Sequence, residues 1–69
     1  MIDKQFKLLL EDLSYSGFTQ KDSYIEDVEL EHSMNIETWS NGKVKIIFVY
    51  FTDLQGNVKE FHIKEIGVI

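Results

Sequence analysis

The stretch from Lys43 to Thr52, Lys-Val-Lys-Ile-Ile-Phe-Val-Tyr-Phe-Thr, constrains the fold more than any other part of the chain. It contains an unbroken run of large apolar and aromatic residues from Ile46 to Phe51. Successive side chains of a strand point to opposite faces. Val44, Ile46, Phe48 and Tyr50 therefore share one face, while Ile47, Val49 and Phe51 share the other. A strand that is apolar on both faces calls for cover on both. The remaining sequence offers one amphipathic helix, so one face of the sheet is left for something else to cover.

That helix is predicted over Asp3 to Tyr15. Ile2, Phe6, Leu9, Leu10 and Leu13 form a single apolar stripe, with Lys4, Lys7, Glu11 and Asp12 on the other side and Leu8 off the stripe. Asp3 is the candidate N-cap. Gly17 stands at the left-handed C′ position, with Phe18 folding back on Leu13.

Thr19 to Ser23 is polar and reads as a connector. Ile25 to His32 and Met34 to Ser40 read as strands, separate or continuous as one long bent strand. Asn41-Gly42 predicts a type I′ hairpin turn, since both residues tolerate positive φ. It sets Trp39 opposite Val44, Glu37 opposite Ile46, Ile36 opposite Ile47 and Met34 opposite Val49. Asp53-Leu54-Gln55-Gly56-Asn57 predicts a type I turn closed by a glycine bulge. Extended regularly, it sets Val49 opposite Phe61 and Ile47 opposite Ile63. These registers gather Met34, Ile36, Ile47, Val49, Phe51, Phe61 and Ile63 under the helix. The opposite face then carries Trp39, Val44, Ile46, Phe48, Tyr50 and His62, with Asn35, Glu37 and Glu60 among them. The tail from Ile66 to Ile69 is free to fold back over part of that face. The expected fold is α+β: a single domain over residues 1–69, with an N-terminal helix on one face of a three- to four-stranded antiparallel meander.

Composition narrows the function. A chain of 69 residues buries a small core, and without cysteine it has no disulfide to reinforce it. The net charge is −5 and all seven cationic side chains are lysines, which argues against direct nucleic-acid binding. No segment approaches the length of a membrane span, and the N-terminal apolar residues are interrupted by charge, so a cytoplasmic setting is expected. Two histidines without ligand-like spacing argue against a metal. No serine has a nucleophile-elbow context and no glycine-rich loop precedes a helix, so neither catalysis nor a cofactor is expected.

Two features remain as candidate partner-binding surfaces. Trp39, Val44, Ile46, Phe48 and Tyr50 form an apolar patch of the residue types that dominate interface energetics. Asp27, Glu29 and Glu31 alternate along a strand at about 6.6 to 6.8 Å per step, close to the spacing of successive phosphates. With Glu37 they could enter a basic nucleic-acid-binding groove of another protein. The more usual role of such acids is as charges that keep a strand edge from aggregating. The expectation is a protein-binding module. Its most concrete form is a small acidic inhibitor of a nucleic-acid-handling protein, of the anti-CRISPR or anti-restriction type that phages and other mobile elements carry. The alternative is a homodimer or accessory subunit packed through the open sheet face.

Overall fold

Helix α1 spans Ile2–Tyr15 and is stopped by its own sequence. Gly17 takes a φ of 89°, the left-handed conformation that only glycine reaches without strain. Phe18 N then donates to Leu13 O at 2.9 Å and Gly17 N to Ser14 O at 3.1 Å. These are the two bonds of a Schellman motif, and they turn the chain directly into the sheet. The N-terminus differs from expectation. The helix starts one residue earlier, Met1 takes the cap position without a side-chain bond, and Asp3 lies inside the first turn.

The computed structural model describes residues 1–28 and 33–69. Four strands follow the helix: β1 Thr19–Val28, β2 Ser33–Ser40, β3 Val44–Thr52 and β4 Val58–Val68. They form one antiparallel sheet in the order β1-β2-β3-β4, a simple meander. The polar segment from Thr19 to Ser23 is strand rather than connector, pairing Thr19 with Ser40 and Ser23 with Glu37. Its ladder hydrogen bonds to β2 suffice to hold an edge strand that buries little. β1 and β2 pair antiparallel, with Val28 opposite Ser33, so they are two strands and not one bent strand. The C-terminal residues do not fold back either. They extend β4, with Val68 opposite Val44 and Ile69 N donating to Lys43 O.

Both turns shape the registers. Asn41 N donates to Val44 O, so Gly42 and Lys43 are the central residues of the β2–β3 turn. Gly42 has φ 93° and no described non-glycine residue has positive φ, which suits glycine at the first position of a type II′ turn and excludes type I′. Asn41 Oδ1 accepts from Lys43 N at 2.9 Å and Val44 N at 2.8 Å, bracing the loop. Relative to an Asn41-Gly42 turn the register moves by two, pairing Trp39 with Ile46 and Ile36 with Val49. A two-residue move keeps every side chain on its face.

The Asp53 turn forms as expected. Asp53 N donates to Asn57 O and Gly56 N to Asp53 O, each at 3.0 Å, and Thr52 pairs with Val58. One step later the register shifts: Phe51 pairs with Glu60, leaving Lys59 without a cross-strand partner. That single bulge turns Phe61 to lie opposite Tyr50 and Ile63 opposite Phe48. The face assignment inverts with it. Phe6 of the helix meets Phe48, Tyr50 and Phe61 at ring-centroid distances of 5.7, 4.8 and 4.9 Å. The core comprises Phe6, Trp39, Phe48 and Val58, with Leu9, Leu10, Leu13, Phe18, Ile46, Tyr50 and Phe61 packed around them. The helix thus covers the Trp39–Phe48–Tyr50 face, not the Ile47–Val49–Phe51 face.

Candidate functional site: the uncovered face of the sheet

The inversion changes which residues a partner can reach. Phe48 is 1% exposed, Glu37 6% and Trp39 9%, while Ile46 and Tyr50 are half-buried beneath the helix. Val44 is half-buried at the sheet end beside Val68. The face expected to receive a partner is therefore the domain's own core. Of the acidic candidates, Asp27 pairs with Met34 on the edge strand. Glu29 and Glu31 lie outside the described residues, as does His32.

Glu37 has a different role from the one expected. Its Oε1 accepts from Trp39 Nε1 and its Oε2 from Tyr50 OH, both at 2.7 Å. Trp and Tyr need a partner for their polar tips when buried. One carboxylate supplies both acceptors, and charge-assisted bonds of this length are the strong kind. Burial, and then the Glu37 carboxylate beside it, push the Tyr50 hydroxyl well above its ordinary pKa of 10.0. Among the described residues no buried side-chain polar atom is left without a partner.

The opposite face remains open. Its residues follow from the registers as rows across the sheet: Asp22–Thr38–Ile47–Glu65, Tyr24–Ile36–Val49–His62, and Met34–Phe51–Glu60. The centre is apolar and the margins are charged. Ile36 is only 3% exposed yet belongs to no part of the helix-side cluster, because its row neighbours Tyr24 and Val49 flank it. Met34, Ile47 and Val49 are half-buried. Among the described residues no helix or strand lies across this face. The smallest Cα extent of the molecule is 15 Å, enough for one helix on one sheet and not for a third layer.

A lysine–glutamate salt bridge and a histidine–carboxylate contact line the β4 margin. Lys45 Nζ meets Glu65 Oε2 at 3.0 Å and His62 Nε2 meets Glu60 Oε1 at 3.3 Å. Both edge strands carry two register shifts. Lys21 and Glu26 on β1 and Lys59 and Lys64 on β4 are the residues left without a cross-strand partner. Each bulge bends its strand and increases the local twist.

Asp3 is a residue whose role sequence reasoning missed. Its Oδ1 accepts from the edge amide of Val58 at 2.8 Å, and its Oδ2 meets Lys7 Nζ at 3.0 Å. The first turn of the helix is thereby tied to the start of β4. The Val58 amide, then Lys7, hold the Asp3 carboxyl below its ordinary range. Beside this tie lies a shallow cleft of about 270 Å³, lined by Met1, Ile2, Asp3, Asn57, Val58 and Lys59. It is slightly smaller than the ~300 Å³ from which ligand pockets usually start. Among the described residues no group of three or more His, Asp or Glu side chains converges as a metal site. Among the same residues no helix is long and apolar enough to cross a membrane. Comparison with protein-family models, curated proteins and solved structures finds no match for the chain.

Proposed function

We propose that this chain is a non-enzymatic protein-binding module that receives its partner on the open face of its sheet. The observation that carries the reading is the apolar centre of Met34, Ile36, Ile47 and Val49 on a face that no described element covers. Contiguous apolar surface of this kind marks interaction sites in small soluble domains. A core this small also gains most from a partner, since the chain has no disulfide. The net charge of −5 favours a partner with a basic surface. In its most specific form the proposal is an acidic inhibitor that blocks the basic groove of a nucleic-acid-handling protein, as phage and other mobile-element inhibitors do. The anchors on that reading are the half-buried Met34, Ile47 and Val49 around the buried Ile36, in place of Trp39 and Phe48.

Affinity capture from the source cells, followed by mass spectrometry, tests the assignment of the face. Val49 is central and half-buried, so Val49→Lys places a charge in the docking surface without touching the helix-side core. Leu54, 75% exposed in the β3–β4 turn, is the control position. The unsubstituted chain and Leu54→Lys should capture the same protein, and Val49→Lys should lose it while keeping its circular dichroism. Equal capture by a folded Val49→Lys would refute the open face as the docking surface.

A further inference from the structure

Among the described residues, the largest concentration of exposed apolar side chains lies elsewhere, along the second half of β4 and at Ile69 just after it. Ile63 is 52% exposed, Ile66 62%, Val68 85% and Ile69 70%. β4 is an edge strand, and an exposed apolar edge is a template for pairing with another chain. Elsewhere the edges are obstructed. The β1 edge is interrupted twice, at Lys21 and Glu26, whereas the second half of β4 has the one bulge at Lys64, and the start of β4 is held by the bond from Val58 N to Asp3.

We infer that a second copy of this chain occupies the β4 edge, pairing antiparallel about a dyad between Lys64 and Glu65. The bulge at Lys64 is what makes the strand self-complementary there. In a regular strand, residues an odd number of positions apart point to opposite faces and cannot share a side of a two-fold pairing. Lys64 has no cross-strand partner, so Ile63 (opposite Phe48) and Ile66 (opposite Ile46) lie on the same face although three positions apart. A dyad between Lys64 and Glu65 therefore sets Ile63 of one copy opposite Ile66 of the other. It sets Phe61 opposite Val68, again on one face, and His62 opposite Gly67 on the other. Lys64 faces Glu65 of the second copy, and both pairs occur twice. Directly opposed apolar pairs and opposite charges are the stabilising contacts of antiparallel strands. The paired stretch stops short of Val58, so the Asp3 tie stays intact. The result is a continuous eight-stranded sheet with both open faces still free, so the inference is independent of the docking surface proposed above.

Edge pairing over one strand buries less than the ~800 Å² per partner of a standard stable interface, so the association is weak and concentration-dependent. Sedimentation equilibrium should show the mass rising from one chain toward two as the concentration approaches about 1 mM. Ile66→Lys, at a position more than half exposed, should remain folded by circular dichroism and stay at the mass of one chain. Val49→Lys should dimerise like the unsubstituted chain. The chain has no cysteine, which allows a test of register. Mixing Ile63→Cys with Ile66→Cys under oxidation should give a disulfide-linked dimer, while either variant alone should not link. A single-chain mass at the highest concentration overturns the inference. So does a dimer that Val49→Lys abolishes and Ile66→Lys leaves intact.

Discussion

The two faces of this sheet draw on the same strands and end with different fates. The helix-covered face is aromatic and ordered by specific contacts: Phe6 on Phe48, Tyr50 and Phe61, and Glu37 bonded to Trp39 and Tyr50. The open face is aliphatic at its centre, with Ile36, Ile47 and Val49 shielded mainly by their own row neighbours. Aromatic side chains bury the most area per residue, roughly 150 to 250 Å² each, so a chain with one helix gains more by covering them. The aliphatic face can be left open because the flat packing of β-branched neighbours already removes much of its surface from water. A small domain with only one covering element thus assigns stability to one face and leaves the other available for contact.

The sharpest way to break this comparison is to remove side chains from adjacent positions of β3. Phe48→Ala empties the centre of the core and should cost about 3 to 5 kcal/mol, a large part of what a domain of this size possesses. Val49→Ala, one residue on and facing the other way, should cost about 1 kcal/mol. Urea unfolding followed by Trp39 fluorescence measures both. Similar losses at the two positions would mean that the open face is as tightly covered as the helix side.

Sequence reasoning reached the helix and the two central strands, missed the polar first half of β1 and the C-terminal end of β4, and put the helix on the wrong face for a reason located in one residue. The helix stripe, the Gly17 stop with its Phe18 bond to Leu13, and the Asp53 turn are local patterns, and all three are found in the fold. The Lys59 bulge is not local. It carries no turn residue, and it lies between Val58, whose amide Asp3 holds, and Phe61 of the aromatic cluster. One extra residue there moved Phe61 and Ile63 from the face of Val49 to that of Phe48. The Gly42-Lys43 turn also departed from expectation but moved the register by two, and so left the faces unchanged. A signal for the correct face was present in the composition of the strands. Glu37 sharing a face with Trp39 and Tyr50 supplies the acceptor that a buried hydrogen-bond network needs, whereas Met34, Ile36, Ile47 and Val49, facing the other way on the same two strands, have no polar tip to satisfy.

That network gives the next test, smaller than the loss of Phe48. Tyr50 is held neutral because its pKa in the folded chain lies above the 10.0 of a free side chain. Below pH 10 both the folded and unfolded forms carry the proton, and the stabilisation is complete. Above it, the unfolded chain ionises and the folded chain does not, so stability falls as pH rises. The loss is at most about 1.4 kcal/mol per pH unit for one proton, and less where solvent screens the ring edge. Tyrosinate absorbance should show one of the three tyrosines titrating late, and Tyr50→Phe should remove that late phase. A late phase that persists in Tyr50→Phe would place the shielded hydroxyl elsewhere and detach the Glu37 network from the covered face.

The smallest expected effect concerns how the helix is held to its face at all. Asp3 links the first helical turn to the Val58 amide, and its carboxyl is held below the ordinary 3.8 by that bond and then by Lys7. A lowered pKa contributes stability above pH 3.8, and the contribution is lost as pH falls through the folded value. Asp53 is lowered for a similar reason, by the Asn57 and Gln55 amides, and titrates in the same range. The two must therefore be separated by substitution. Asp3→Asn removes the charge but keeps an oxygen able to accept from Val58, so it should flatten the acid limb of the stability curve only in part. Asp3→Ala also frees the amide and should increase hydrogen exchange at Val58 specifically, while exchange at the β2–β3 ladder stays unchanged. If exchange rises equally at both places, the tie is not local to β4, and the helix depends on the aromatic cluster alone for its choice of face.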